Sequence, residues 1–337
     1  MKAIGFYQSL PISEPDSFVA FETPVPVPGD RDLLVQVQAI SVNPVDFKVR
    51  QNSARENRLE QPKIIGWDAA GTVVATGSKV TLFKPGDPVY YAGDITRAGS
   101  NAEFQVVDER IVGKKPARLN FAEAAALPLT ALTAWEMLFD RMLIEADRDE
   151  GKSLLIIGGA GGVGSIAIQL ARQIAGLKVI ATASRPETIE WCRQMGAHYV
   201  INHKNLLPEI KEAGFPVVDF IIDLVDANGY WDTMAELIRP QGRIASITGS
   251  SVPVALNKLK NKSVSFSWEF MFTRSMFQTT DMIGQYEILN IISRMIDDGL
   301  LKTTIQRVYE GLSAENLKAA HQLLESGKAI GKVVITV

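Results

Sequence analysis

The chain reads as an α/β protein that joins a doubly wound parallel sheet to a β-rich, barrel-like unit, and three observations carry that reading. The apolar run Leu154-Leu155-Ile156-Ile157 passes directly into Gly158-Gly159-Ala160-Gly161-Gly162-Val163-Gly164, and then into a segment with apolar residues at helical spacing (Val163, Ile166, Ala167, Leu170, Ile174). Strand-like and helix-like segments alternate from about residue 153 to residue 248, the order that produces a parallel sheet with crossover helices. Up to about Pro116 there is no such alternation, only short strand patterns punctuated by Pro and Gly.

In the first region Leu33–Ile40 alternates like a half-buried strand, and Gly71–Gly77 and Asp87–Tyr91 follow in the same style. The pattern turns helical from Asn120 to Leu143, through Phe121–Ala126 and, after Pro128, Thr133–Leu138; this is the expected junction. The alternating part predicts strands at 153–158, 178–184, 199–202, 217–223 and 243–248, with helices at 162–176, 186–195, 205–213 and 229–238. Ser263–Phe272 alternates polar and large apolar residues, as a last or edge strand does. Such an edge suits pairing with a second subunit, and packing of its aromatics inside the subunit is the other reading. A helix over 283–298, a strand at 303–309, a helix Ala314–Ser326 and a final strand Val333–Val337 complete the chain and are expected to return to the first unit.

The glycine run is a phosphate cradle. Gly159, Gly161 and Gly164 fill the G-x-G-x-x-G spacing between a strand and a helix, so backbone N–H groups and the positive helix end can approach a pyrophosphate; Gly162 and Val163 lie inside it. At the end of the next strand an NAD site places an acidic residue for the ribose 2′-hydroxyl. Here stand Ser184 and Arg185, which suit a 2′-phosphate and favour NADPH; Arg185 as part of a solvated loop is the alternative.

Composition narrows the partners. With 337 residues and 46% hydrophobic content the chain can bury two cores, and a net charge of −3 without a basic run or acidic tail points away from nucleic acid and anionic membranes. No targeting signal or membrane span is visible, so a cytoplasmic location is expected. Cys192 is the only cysteine, in a helical context where it packs, and His198, His203 and His321 are far apart, so a zinc site is not expected.

Five segments in order resemble the medium-chain dehydrogenase/reductase superfamily, in its zinc-free quinone oxidoreductase-like branch, which is often called zinc-type alcohol dehydrogenase-like. They are Ser41–Arg50, Ile65–Gly71, Leu127–Glu136, the glycine run and Gly331–Val334. The resemblance covers essentially the whole chain. It implies a GroES-like β-barrel catalytic domain (residues 1–124 and 274–337), a Rossmann NADPH-binding domain (125–273) and an active site in the cleft. Where zinc-dependent relatives carry ligands this chain has Asn43, Trp67 and Leu129, so the resemblance implies no metal. It places Asn43 and Thr133 toward the nicotinamide, Gly161, Gly162 and Val163 on the pyrophosphate, Ser184 and Arg185 on the 2′-phosphate, His203 near the adenosine end, where relatives often have Tyr, and Thr248 and Gly249 along the nicotinamide ribose. For Asn43 a turn residue before Pro44 is the alternative; Asp46 and Asp223 read as structural as readily as functional, and Trp67 reads as a pocket wall with core packing the alternative.

Without a Lewis acid, activated acceptors are favoured: quinones and α,β-unsaturated carbonyls, whose developing charge hydrogen-bond donors can hold. The expected function is zinc-independent hydride transfer from NADPH to such a small molecule, by a homodimer. The proton donor stays open among Tyr91, Asn43, Lys48 and solvent, since residues 51–63 hold no tyrosine. An NADPH-binding sensor without turnover, and a zinc alcohol dehydrogenase, are the rival readings.

Overall fold

A computed structural model describes all residues, Met1–Val337. The chain forms two compact units, one from Met1–Leu129 with Phe272–Val337 and the other from Thr130–Met271. The expected domain limits, after residues 124 and 273, differ from these by a few residues. At the first, the Leu129 backbone N–H donates to the Asp68 carboxylate (2.7 Å) and so stays with the first unit.

The first unit is β-rich. Strands β1 (Lys2–Phe6), β2 (Val19–Glu22) and β4 (Lys63–Ile64) form a small sheet of order β2-β1-β4. The larger sheet contains β3 (Asp32–Val42), β5 (Asp68–Thr76), β6 (Pro88–Tyr91), β7 (Phe104–Asp108) and β8 (Val112–Lys114), with β3 pairing both β5 and β7. Strand β3 alternates only over its middle, Val35 to Ala39; Leu33–Val35 and Ala39–Val42 are buried throughout, as a central strand requires. Register shifts at Leu34/Val35 and Val37/Ala39 bend it. Helix α1 (Pro44–Asn52) starts straight after β3, and α2 (Phe121–Ala125) precedes α3 (Pro128–Trp135).

The second unit holds six parallel strands: β9 (Ser153–Ile157), β10 (Lys178–Thr182), β11 (Tyr199–Ile201), β12 (Val218–Asp223), β13 (Ile238–Ser246) and β14 (Ser265–Trp268). Their order, β11-β10-β9-β12-β13-β14, is that of a doubly wound dinucleotide fold. Its helices are α4 (Ala146–Asp149), α5 (Gly162–Gln173), α6 (Pro186–Met195), α7 (Leu206–Glu212), α8 (Ala227–Leu237) and α9 (Asn257–Lys260). Strand β9 is buried throughout, and Leu155, Ile157, Ile221, Met234 and Ile244 share one core cluster.

The tail returns to the first unit as expected. After α10 (Thr273–Met276) and the amphipathic α11 (Gly284–Asp297) come β15 (Ile305–Tyr309), α12 (Ala314–Glu325) and β16 (Lys332–Thr336), and β16 pairs antiparallel with β3, Val333 opposite Val42. No helix is long and apolar enough to cross a membrane.

Two expectations need correction. The strand expected over 263–272 is only β14: the Glu269 N–H still donates to the Ser246 carbonyl (2.9 Å), but its carboxylate turns inward to Arg141 (2.7 Å) and the chain leaves the sheet. The helix expected to run to Leu143 widens after Trp135 into a π-turn over Glu136–Arg141, closed by the Met142 N–H on the Met137 carbonyl (3.0 Å).

Candidate active site

The turn between β9 and α5 is built by three different glycine requirements. Gly158 has φ +95°, which only glycine adopts readily, and a Cβ there would also lie 2.7 Å from Val225 Cγ2. A Cβ on Gly159 would sit 2.7 Å from Ala181 Cβ and 3.1 Å from Cys192 Sγ, and one on Gly164 only 2.4 Å from the Gly158 carbonyl oxygen. These two glycines let strand, turn and helix touch. A Cβ on Gly161 would meet no protein atom nearer than 3.7 Å, and the residue is exposed at the helix N-cap. Its missing side chain leaves space that the protein itself does not fill. Gly162 and Val163, half-buried, open α5 with their N–H groups in its first turn.

Neighbouring residues hold the turn rigid. Thr182 at the end of β10 accepts from the Gly158 N–H with its hydroxyl (2.9 Å) and from the Gly159 N–H with its carbonyl (3.2 Å). Ser165 donates to the Gly161 carbonyl (2.7 Å) and accepts from Trp191 Nε1 (2.8 Å). Burial pushes the Cys192 thiol up to about 12, so this side chain packs as a neutral group.

Along the carboxyl ends of the strands stand the other expected cofactor residues. Ser184 and Arg185 follow β10, with Arg185 Nε 3.3 Å from the Glu187 carboxylate, and His203 opens the turn after β11; all three are half-buried. After β13 the Thr248 hydroxyl donates to Asp223 Oδ2 (2.8 Å) and accepts from the Ala227 N–H (2.9 Å), while Ser246 also donates to Asp223 Oδ2 (2.8 Å). Thr248 and Asp223 thus shape the loop, and Gly249 beyond them is exposed with nothing within 4 Å of a Cβ. Thr133 is buried in α3.

In the first unit the expected residues form a closed knot. Asn43 Nδ2 donates to Asp68 Oδ2 (2.8 Å) and to the Ser41 carbonyl (3.3 Å), and Asn43 Oδ1 accepts from Lys332 Nζ. Lys332 Nζ also donates to Asp68 Oδ2 (3.0 Å) and to the Val42 carbonyl (3.2 Å), which uses all three of its hydrogens. The Asn43 N–H donates to Asp46 Oδ2 (2.8 Å), and burial pushes the Asp46 carboxyl up to about 7, against the pull of that hydrogen bond and of Lys332. Asn43, expected at the reacting centre, has its amide engaged with Ser41, Asp68 and Lys332. Tyr91 is fully buried, its hydroxyl has no hydrogen-bond partner, and burial raises it far above the ordinary phenol range. Lys48 is exposed on α1. Trp67 is fully buried, edge-on to Phe272 (6.0 Å), and belongs to the core.

These side chains do not suit zinc. Asn43 Nδ2 and the Leu129 N–H both point donors at Asp68, and the Trp67 indole offers no lone pair; no group of three His, Cys, Asp or Glu side chains is placed to hold an ion.

The chain is 48% identical over its whole length to a zinc-type alcohol dehydrogenase-like protein of Staphylococcus aureus, all of which is covered. It belongs to the medium-chain dehydrogenase/reductase superfamily, in the quinone oxidoreductase-like branch. Residues 29–117 match the alcohol dehydrogenase GroES-like domain and residues 195–335 the zinc-binding dehydrogenase family. A tomato 2-methylene-furan-3-one reductase is 32% identical over 99% of this chain and 79% of its own length. The crystal structure of Escherichia coli quinone oxidoreductase with NADPH superposes with a TM-score of 0.84 at 25% identity, covering both chains completely. The chain is thus an oxidoreductase with a GroES-like unit and a Rossmann unit.

Sequence reasoning missed Asp68 and Lys332 as partners, although Lys332 is a charge at the head of the apolar run Val333-Val334-Ile335. It also missed Thr182, whose hydroxyl carries no sequence signal for a role one strand away.

Proposed function

We propose that this protein is a zinc-independent reductase that transfers hydride from NADPH to a quinone or an α,β-unsaturated carbonyl. The observation that carries the reading is the pairing of an open phosphate cradle at Gly161 with a closed Asn43–Asp68–Lys332 knot where zinc-dependent relatives hold metal. The residues fit a dinucleotide: the Gly161–Gly164 turn and the first N–H groups of α5 would hold the pyrophosphate, Ser184, Arg185 and His203 the adenosine end with its 2′-phosphate, and Thr248–Gly249 and Thr133 the nicotinamide end. When bound, the nicotinamide supplies the hydride. The chain's part is to orient it, to exclude water, and to leave an acceptor that needs no metal polarisation.

The burial of Tyr91 and the engagement of Asn43 support Lys48 or solvent as the proton source. The same two facts favour a second reading, an NADPH-binding sensor without turnover. The exposed edge of β14, with Trp268 (49% exposed) and Phe270 (45%) beside it, supports a homodimer, and a cytoplasmic location is part of the same reading.

Rapid mixing of protein and NADPH with 9,10-phenanthrenequinone and a panel of enones tests this. Loss of NADPH absorbance under turnover is expected; tight binding without oxidation of any acceptor would transfer the case to the sensor, and preference for NADH would remove the cofactor assignment.

A further inference from the structure

Two buried carboxyl groups of the second unit meet on one guanidinium. Glu136 opens the π-turn and Glu269 is the first residue beyond β14; both side chains are fully buried. Arg141, at the end of the same π-turn, places Nε 2.7 Å from Glu269 Oε2 and Nη2 3.6 Å from Glu136 Oε2, and the two carboxyl groups are themselves in hydrogen-bonding contact. Two carboxylates cannot donate to each other, so that contact needs a proton on one of them. With the proton the trio is neutral; without it a net negative charge is buried.

Burial and the Glu136 carboxylate push Glu269 up to about 8, against the pull of Arg141, so the proton is held at neutral pH. The charged groups on the surrounding elements do not replace it. Arg243, from β13, donates to the Met142 and Leu143 carbonyls at the end of the turn, and Asp223, from β12, is held by Ser246 and Thr248. Asp140 lies half-buried on the turn itself, and α3 carries no charged residue.

The trio ties together two elements that lead to the proposed nicotinamide end. The π-turn continues α3, which carries Thr133, and β14 lies parallel beside β13, which leads to Thr248. The Glu269 N–H on the Ser246 carbonyl (2.9 Å) joins those two strands at their carboxyl ends. A π-turn is rare and occurs mostly at functional sites; here both of its ends close on Glu269.

We infer that Glu136, Glu269 and Arg141 form a clasp that positions the nicotinamide end of the cofactor: one proton shared by the two carboxyl groups holds the π-turn on the end of β14, and its loss at alkaline pH opens the clasp. This rests on the proposed use of NADPH. Glu136 and Glu269 are positioning residues, and neither gives its proton to the substrate.

Glu269→Gln is the deciding variant, because an amide accepts from Arg141 and donates to Glu136 as the protonated acid does, yet cannot ionise. Glu136→Gln makes the same exchange from the other side. The test measures NADPH dissociation constants between about pH 7 and 9.5 on the wild type and both variants, with infrared spectra of each protein without cofactor. The wild type should show a protonated-carboxyl band that fades through about pH 8, beyond the Asp46 band common to all three, and both variants should lack it. Relative to the variants, wild-type affinity for NADPH should fall about tenfold between pH 8 and 9.5; titration of the cofactor itself cancels in that ratio. The same infrared spectra in all three proteins would overturn the shared proton. A fading band with one NADPH profile for all three would overturn the positioning role. No NADPH binding by any of them, with the band present, would overturn the proposed cofactor and leave the shared proton standing.

Discussion

At Gly161 the backbone leaves a volume that no protein atom fills, whereas around Asp68 an amide, an ammonium and a backbone N–H converge on one carboxylate and leave none. Both regions lie on motifs of the same superfamily. At the first a Cβ would meet no protein atom nearer than 3.7 Å, and at the second every donor around the carboxylate is engaged within the protein. The proposed function takes the open turn as the ligand-binding part and the filled cluster as structural.

The largest effect is expected in the knot. Lys332 and Asp68 are both buried, and replacing one partner leaves the other charge uncompensated. Lys332→Met should lower unfolding free energy by about 3–5 kcal/mol in denaturant titrations, and adding Asp68→Asn should recover much of that. If Lys332→Met is near neutral, the knot does not hold the unit together.

The glycine turn gives the contrast. Gly164→Ala should destabilise by about 1–3 kcal/mol because its methyl group meets the Gly158 carbonyl. Gly161→Ala should melt within a degree or two of wild type, since no protein atom fills that space, and, if the proposed cradle holds the pyrophosphate, lose about tenfold or more in dinucleotide affinity. Equal stability losses in the two variants would erase the distinction between packing and ligand glycines.

A smaller effect lies in the pH dependence of stability. Burial and the nearby Arg50 lower His321 to about 3, and both of its ring nitrogens lack hydrogen-bond partners. Its unfolded form binds a proton more readily, so this group removes stability as pH falls below about 6.5. Asp46, raised to about 7, acts oppositely: the folded form holds the proton, and stability is lost as pH rises from about 4 to 7. Between about pH 4 and 6.5 the two slopes oppose each other, each at most about 1.4 kcal/mol per pH unit. His321→Leu should expose a stability that falls with rising pH across that window, and Asp46→Asn one that rises, both read from denaturation midpoints. Unchanged profiles in both variants would deny these groups their role.

Much of this was legible in the residues. Most strands of the parallel sheet were readable, β9 most plainly because it is one buried apolar run, whereas β13 starts at Ile238, five residues before the expected strand, through the polar Arg239-Pro240-Gln241; the glycine turn was readable because its spacing has few other uses. Three features were not. The shortening of the 263–272 strand depends on Glu269 finding Arg141, a partner over a hundred residues away. The π-turn at Glu136–Arg141 follows a sequence that reads as ordinary helix. Asn43 showed its place but not its engagement, because Lys332 arrives with β16 from the far end of the chain.

The central claim is that hydride transfer here needs no metal. Its most direct test is NADPH oxidation with a quinone or enone acceptor by protein dialysed against a strong chelator, with the metal content measured on the same sample. The proposed function predicts full turnover with no stoichiometric zinc. Activity lost on chelation and restored by added zinc would contradict it.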